Sequence, residues 1–332
     1  MKKGMKRIIA FVLALVMTFS VQMPQQVEAA SAEDRYTGGD SIEEILTYYQ
    51  YFVLNDCLLG NHCVGPVVVG GTFSVNSTLG DAAYAPSYVN HLEQLNDIAN
   101  TTDYGATSRD FYYTTASDSM KGNTNFYKFT QTPIKGYIDV EGIFAKLQKQ
   151  SKEVLVQNAV KVSANDSGVI ECNFNTAKVY EIPYEEVVKA TTLNIVIDNI
   201  DSLKTGQYVI NFTGVNTNNI VLDNTGGSGE ENTPNISVQF NNNPSKNPVT
   251  EQLFSGGQGG TNNNQCNLGG MTLIYNFPDA SGVVRNNGLF GHIVAPLATV
   301  TPTGGNMEGG VIAKSCQRAG EDAVESHFFS YY

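Results

Sequence analysis

Gly291-His292-Ile293-Val294-Ala295 and Gly309-Gly310-Val311-Ile312-Ala313 share a Gly-x-aliphatic-aliphatic-Ala pattern at a spacing of 18 residues. Gly65-Pro66-Val67-Val68-Val69 is a looser third copy. A repeat of about 18 to 30 residues made of short strands is what a β-solenoid requires, because each strand stacks on its equivalent in the next coil. Two other readings fit the same residues: a β-sandwich with strands of similar length, and a coincidence between two five-residue matches.

Working outward, short strands separated by Asn and Gly run from Val160 onward. They are expected at 169–174, 193–197, 208–212, 220–222, 236–240, 271–277, 290–295 and 311–313. In Leu193-Asn194-Ile195-Val196-Ile197 the apolar side chains at 193, 195 and 197 share one face of a strand. The runs Gly226-Gly227-Ser228-Gly229, Asn241-Asn242-Asn243-Pro244 and Gly256 to Gly260 read as loops, since strand signal resumes on either side.

Upstream, Ser41-Ile42-Glu43-Glu44 is a capping box that starts a short helix at Ile42. Two strands follow, at 65–71 and 72–75, after Tyr51-Phe52-Val53-Leu54. Residues 81–133 are polar with weak periodicity and read as a surface insertion, with helix around Tyr88 to Ile98. Asp139 is an N-cap, and Val140, Ile143, Phe144, Leu147, Val154 and Leu155 recur at helical spacing, so a flanking helix is expected over 139–156. Its single apolar stripe means that it lies on something rather than inside it.

Composition agrees with a β-rich chain. Only 16% of the 332 residues are charged, while Gly numbers 32 and Asn 33, residues that tolerate the positive φ of turns. A helical bundle is disfavoured. Thirty-two acidic against 20 basic residues give a net charge of −12, which supplies no footprint for phosphate and argues against nucleic acid as a partner.

Lys2, Lys3, Lys6 and Arg7 precede an apolar run from Ile8 to Val21, and Val27-Glu28-Ala29 places small residues before a cleavage point. Residues 1–29 therefore read as a signal peptide cleaved after Ala29, with 30–50 a lead-in and 51–332 the main domain. Removing it leaves 16 basic and 31 acidic residues, a net of −15. No further apolar stretch of about 20 residues follows, so a secreted, extracellular or cell-surface protein without a transmembrane segment is expected.

Export permits disulfides. Five cysteines remain: Cys57, Cys63, Cys172, Cys266 and Cys316. Cys57 and Cys63 bracket a short loop and pair plausibly, and Cys266 with Cys316 is a looser pairing. Asp223, Asn224 and Glu230 put oxygen ligands on a glycine-rich loop that suits Ca²⁺ as the one cofactor to weigh, although the spacing is not that of an EF-hand. The four histidines, His62, His91, His292 and His327, have no Gly-x-Ser-x-Gly elbow or papain-like cysteine beside them, and no metalloprotease or phosphate-loop motif occurs. No catalytic residue is expected, and Glu185-Glu186, adjacent on a strand, would point to opposite faces.

The segment Leu273-Ile274-Tyr275-Asn276-Phe277-Pro278-Asp279-Ala280, followed by Gly291 to Val300 and then Gly305 to Ser315, resembles the C-terminal signature of the bacterial choice-of-anchor A family. There an Asn-Phe-Pro-x-Ala strand precedes a Leu-Ala-Pro-x-Ala-x-Val strand and a Gly-x-Val-Ile-Ala strand. Tyr51 to Asp56 and Gly65 to Gly71 are similar to its opening Phe-Val-Leu-Gly-Asp and Val-Gly-Gly motifs, and Glu325-Ser326-His327-Phe328 to its closing Glu-x-His element. Val294 and Asn55 depart from the pattern, and the cysteines at 57 and 63 are unusual in it. The resemblance implies a secreted adhesive domain, mainly β, built as a right-handed parallel β-solenoid (β-helix) with one long α-helix packed alongside.

Three functions follow from these readings. The first is a non-catalytic adhesin whose rigid wall of Asn, Thr and Tyr binds extracellular protein or glycan. The second is a structural or ice-binding-like role, which needs one threonine per coil in register; Thr299-Val300-Thr301-Pro302-Thr303 is the single run of that kind. The third is a solenoid polysaccharide lyase, which needs a base such as Arg285, Lys314 or Arg318 beside calcium-binding carboxylates.

Overall fold

The computed structural model describes residues 39–80, 85–98, 110–131, 138–197, 207–223, 233–240, 273–304, 306–318 and 325–327. Ala29, Asn224, Glu230, Cys266 and the Gly- and Asn-rich runs at 226–229 and 241–264 lie outside them. The described chain is mainly β, and every strand pairing in it is parallel.

The N-terminal part carries α1 (Ile42–Tyr48), β1 (Tyr51–Val53), β2 (Cys57–Leu59), β3 (Val67–Val75), β4 (Thr78–Leu79), β5 (Ser87–Gln94), β6 (Asp97–Ile98), β7 (Phe111–Ala116), α2 (Asp118–Lys121) and β8 (Thr130–Gln131). Then come α3 (Val140–Glu153), β9 (Val160–Lys161), β10 (Val169–Asn173), β11 (Val179–Pro183), α4 (Tyr184–Val187), β12 (Thr192–Val196), β13 (Tyr208–Thr213), β14 (Ile220–Asp223) and β15 (Asn235–Phe240). The C-terminal part holds β16 (Leu273–Asn276), β17 (Val283–Asn287), β18 (His292–Gly304), β19 (Asn306–Glu308), β20 (Val311–Gln317) and β21 (Glu325–His327).

The strands stack in ladders whose order differs from chain order. In the first ladder β1 lies between β3 and β20. Beyond β3 come β5, β7 and β8; beyond β20 come β18, β16, β13, β11 and β9. The chain thus starts in the middle and steps outward to β8. It then crosses by way of α3 to β9 at the opposite end and steps back until β20 closes on β1. A second ladder places β2 between β3 and β20 and continues through β18, β17, β14, β15, β12 and β10. A short third ladder joins β6 to β4, β4 to Cys63, Cys63 to Ser326, and β21 to β19.

The 18-residue repeat is the vertical step of the first ladder. Ile293 pairs with Val311 and Ala295 with Ala313, while Val311 and Val67 flank Tyr51. The leading glycine of each copy turns the corner before its strand. Gly309 has φ +142°, and a Cβ there would stand 2.3 Å from the carbonyl oxygen of Gly291 in the rung beside it. Only glycine allows both the backbone conformation and that approach.

Along these strands alternate side chains point inward. Tyr51, Val53, Val67, Val69, Ile293, Ala295, Val311 and Ala313 belong to one buried core. The outward side chains of the first ladder form a second core, because α1 and α3 cover them. Phe52, Val68, Tyr88, Tyr112, Val294 and Ile312 pack there against Ile45, Leu46, Phe144 and Leu147. Each such side chain removed from water contributes about 1.5–3 kcal/mol.

A buried amide network pins the end of α3 to the ladder. Asn276 Nδ2 donates to Asn211 Oδ1 (2.7 Å) and to the Ser151 carbonyl (2.9 Å), and Ser151 Oγ donates to Asn276 Oδ1 (2.6 Å). Asn211 Nδ2 donates to the carbonyls of Leu155 and Tyr180.

Several expectations are corrected. The described residues of 81–133 are not a surface insertion and contain no helix at Tyr88 to Ile98: β5, β7 and β8 extend the first ladder, because Val89, Leu92 and Phe111 face the core while Tyr88 and Tyr112 lie under the helices. The glycine pair at 70–71 bends one strand, β3, rather than separating two. The helix expected over 139–156 is α3, capped by Asp139 and 14 residues long, which ends at Glu153 and is one of four α-helices among the described residues rather than a single long one. Glu185 and Glu186 occupy the first turn of α4 behind Pro183, not a strand. There Glu186 bonds Lys189 Nζ (2.7 Å) and accepts from the Ala164 N–H, and these contacts hold its carboxyl below the usual range.

Candidate ligand-binding cleft

Where α3 crosses the corner between the first two ladders, it leaves an open cleft of about 590 Å³. One side is Leu54-Asn55-Asp56, the turn from β1 to β2, with Gly70 and Gly71 beside it and Ser315 of β20. The other side is Glu141, Phe144, Ala145 and Gln148 of α3, whose spacing puts them on one face of the helix.

The glycine pair shapes the first side. A Cβ on Gly70 would lie 2.2 Å from the Leu54 carbonyl oxygen, and one on Gly71 would lie 2.5 Å from Asp56 Oδ1. Removing both side chains lets the 54–56 turn seat directly on β3, where Asp56 Oδ1 accepts from the Thr72 N–H (2.7 Å) and Asn55 donates its N–H to the Lys314 carbonyl (2.8 Å). On the second side, Asp139 caps α3 by accepting from the Gly142 N–H (2.9 Å), which fixes the turn that carries Glu141. Phe144 is buried and stacks on Phe52, with ring centroids 6.2 Å apart.

Chemically the cleft offers two exposed carboxylates, two amides and a hydroxyl, with no basic side chain, histidine or cysteine among the described residues lining it. Such groups hydrogen-bond hydroxyl, amide and ammonium groups. The helix side escaped sequence reasoning, because Glu141 and Gln148 look like ordinary solvent-facing residues of an amphipathic helix. The other side was visible as the Leu54-Asn55-Asp56 and Gly70-Gly71 motifs.

The histidines whose side chains are described stand apart from the cleft and from one another. His292 Nδ1 accepts from the Gly310 N–H (2.9 Å) in a buried position of the first ladder. His62 Nδ1 bonds Thr78 Oγ1 (2.8 Å), and His91 bonds Thr115 Oγ1 (2.9 Å) and Glu93 Oε2 (3.2 Å). His327 pairs with Glu308 through its strand, β21.

Asp223 is buried at the end of β14, in register with Asn287 and Ser237. Among the described residues no group of three or more His, Cys, Asp or Glu is placed to hold a metal ion. Thr299 stands between Val283 and Ser315, and Thr301 is in register with Arg285, so this run builds no row of threonines from rung to rung.

The four described cysteines are buried thiols, and the expected pairing of Cys57 with Cys63 is not seen, since the register places the two in different ladders. Cys57 lies in the second ladder against Phe73 and Cys316, whereas Cys63 lies in the third against Leu79 and Ser326. The loop between them turns a corner, and Cys63 Sγ donates to Gln50 Oε1 (3.3 Å) and the Gly65 carbonyl (3.5 Å). Cys316 stands in register with Cys57, while Cys266, its expected partner, lies outside the described residues.

Among known families, the one described as "Putative Ice-binding-like adhesive domain" matches residues 42–324. This agrees with the adhesive class implied by the motifs, and it is a different description from choice-of-anchor A. No curated protein and no solved structure matches the chain. No described helix is long and apolar enough to cross a membrane.

Proposed function

The chain belongs to the ice-binding-like adhesive domain family, and from that premise we propose that it is a secreted or cell-surface adhesin that binds an extracellular protein or glycan without chemically changing it. In this reading the parallel ladders are the coils of a β-solenoid, and the motifs shared with choice-of-anchor A domains mark a related adhesive architecture. The observation that carries it is the cleft between α3 and the 54–56 turn. Its walls are seated on backbone and capped helix, so a ligand meets groups that are already ordered and little entropy is lost on binding.

The test is binding of the full chain to a panel of matrix proteins and glycans, with hydrolysis and lyase assays on the same glycans. A ligand of this cleft is expected to bind at least about tenfold more weakly to Glu141→Gln/Gln148→Ala, two exposed or half-exposed changes that leave the fold intact. Cleavage of a panel glycan would overturn the non-catalytic reading, and unchanged affinity in the double variant would remove the cleft from it.

The family description supports a second reading, ice binding. The mixed row Val283, Thr299, Ser315 argues against a threonine array on that wall. Thermal hysteresis of the purified chain decides it, since an ice-binding surface lowers the freezing point without shifting the melting point.

A further inference from the structure

We infer that Cys57 and Cys316 are joined by a disulfide in the exported protein, a covalent staple across the seam where the beginning of the chain meets its end. The inference rests on the export reading for an oxidising milieu and is independent of the cleft.

The two residues are register partners in β2 and β20. Neighbouring strands stand about 4.8 Å apart, which lies inside the range of about 4.4–6.8 Å between the Cα atoms of bridged cysteines. Both side chains point into the same core, at 0% and 1% exposure. The other described thiols are placed differently. Cys63 is committed to Gln50 and Gly65, and Cys172 stands in β10 against Ile195 of β12, at the far end of the second ladder.

The position gives the bond its purpose. Most pairings between described rungs join segments of one continuous winding, but β20 against β1 and β2, like Ser326 against Cys63, joins chain ends brought together only by folding. A cross-link from 57 to 316 closes a loop spanning nearly the whole described chain, the case in which constraining the unfolded state counts most.

The oxidant is a low-molecular-weight disulfide. The Cys57 thiolate attacks it, forming a mixed disulfide and releasing one small thiol. The Cys316 thiolate then attacks Cys57 Sγ and releases the second. Two protein thiols lose their hydrogens, and the small disulfide takes both electrons and both protons. Because each thiol is buried in the finished fold, the exchange precedes the seating of β20 on β2.

The experiment refolds the full chain in oxidised and reduced glutathione, alkylates it in denaturant without reductant, and maps the peptides by mass. A Cys57–Cys316 linked peptide is expected, lighter by two hydrogen atoms than the separate peptides, with Cys63 and Cys172 alkylated. Reduction is expected to lower Tm by about 5–10 °C. Alkylation of both Cys57 and Cys316 after equilibration with the oxidised couple would overturn the inference. So would a link from either one to Cys63, Cys172 or Cys266.

Discussion

At Gly309 a single missing Cβ sets how closely one rung approaches the next. Gly309→Ala puts a methyl against the Gly291 carbonyl at a φ that L-residues rarely adopt, and a loss of about 2–4 kcal/mol in denaturant unfolding is expected. Gly122→Ala is the control. Its φ is −81° and its nearest atom would be 3.5 Å away, so a change within about 0.5 kcal/mol is expected. Equal effects at the two positions would refute the steric account. Cys172 makes a second point at this scale. Burial, helped by Glu171, pushes its thiol well above the ordinary range, so the folded state keeps the proton. The unfolded thiol ionises near about 8.5, so this stability is intact below that pH and is lost as the pH rises further. In the reduced protein Tm is therefore expected to fall between about pH 8 and pH 10, and Cys172→Val to fall less steeply. Parallel curves would show that the thiol is not the cause.

The elements show what fixes the helices and what hid the strands. α3 is anchored near its C-terminal end on two sides: Gln150 bonds the Ile42 N–H (2.9 Å) and the Asp40 carbonyl (3.0 Å) beside α1, and Asn276 holds Ser151. Asn276→Ala leaves the Ser151 carbonyl and Asn211 Oδ1 buried without this donor, so a loss of about 2–4 kcal/mol is expected, with faster amide exchange concentrated in 147–156. Uniform acceleration over all rungs would mean that the network does not act on the helix in particular. Both α1 and α3 were legible in the sequence because their caps are local: Ser41 with Glu44, and Asp139 with Gly142, lie three residues apart. The repeat at 291 and 309 was legible because its glycines face a steric demand that only one residue type meets. β5 and β7 were not. Their inward residues belong to one core and Tyr88 and Tyr112 to the other, so burial on both faces erases the alternation that marks a half-exposed strand. A register shift between Val69 and Thr72 breaks the period further. The cleft was half legible for a related reason, since Glu141 and Gln148 acquire a partner wall only after residues 54–56 and 70–71 are folded beneath α3.

For the whole molecule, the decisive feature is that chain order and stacking order disagree. Had the rungs been stacked in sequence, each would depend mainly on its neighbours and the ends would fray independently. Here β1, near the start of the described chain, is flanked by β3 and by β20 from the other end, so the middle of the stack forms only when distant segments meet. Such pairing carries a large loop-closure cost before any contact offsets it, which predicts slow folding but a single cooperative native state. Ile312 tests the cooperativity. It is fully buried in β20, in register with Phe52 on one side and Val294 on the other, under the helical cover. Ile312→Ala is expected to cost about 2–5 kcal/mol. If the seam unites the fold, amide protection falls alike in β3, which precedes it in the chain by more than 200 residues, and in β18, which sits beside it. Protection lost from β18 and β20 while β3 keeps its own would divide the stack into two folding units, and the seam would then be a contact between them rather than the keystone of one.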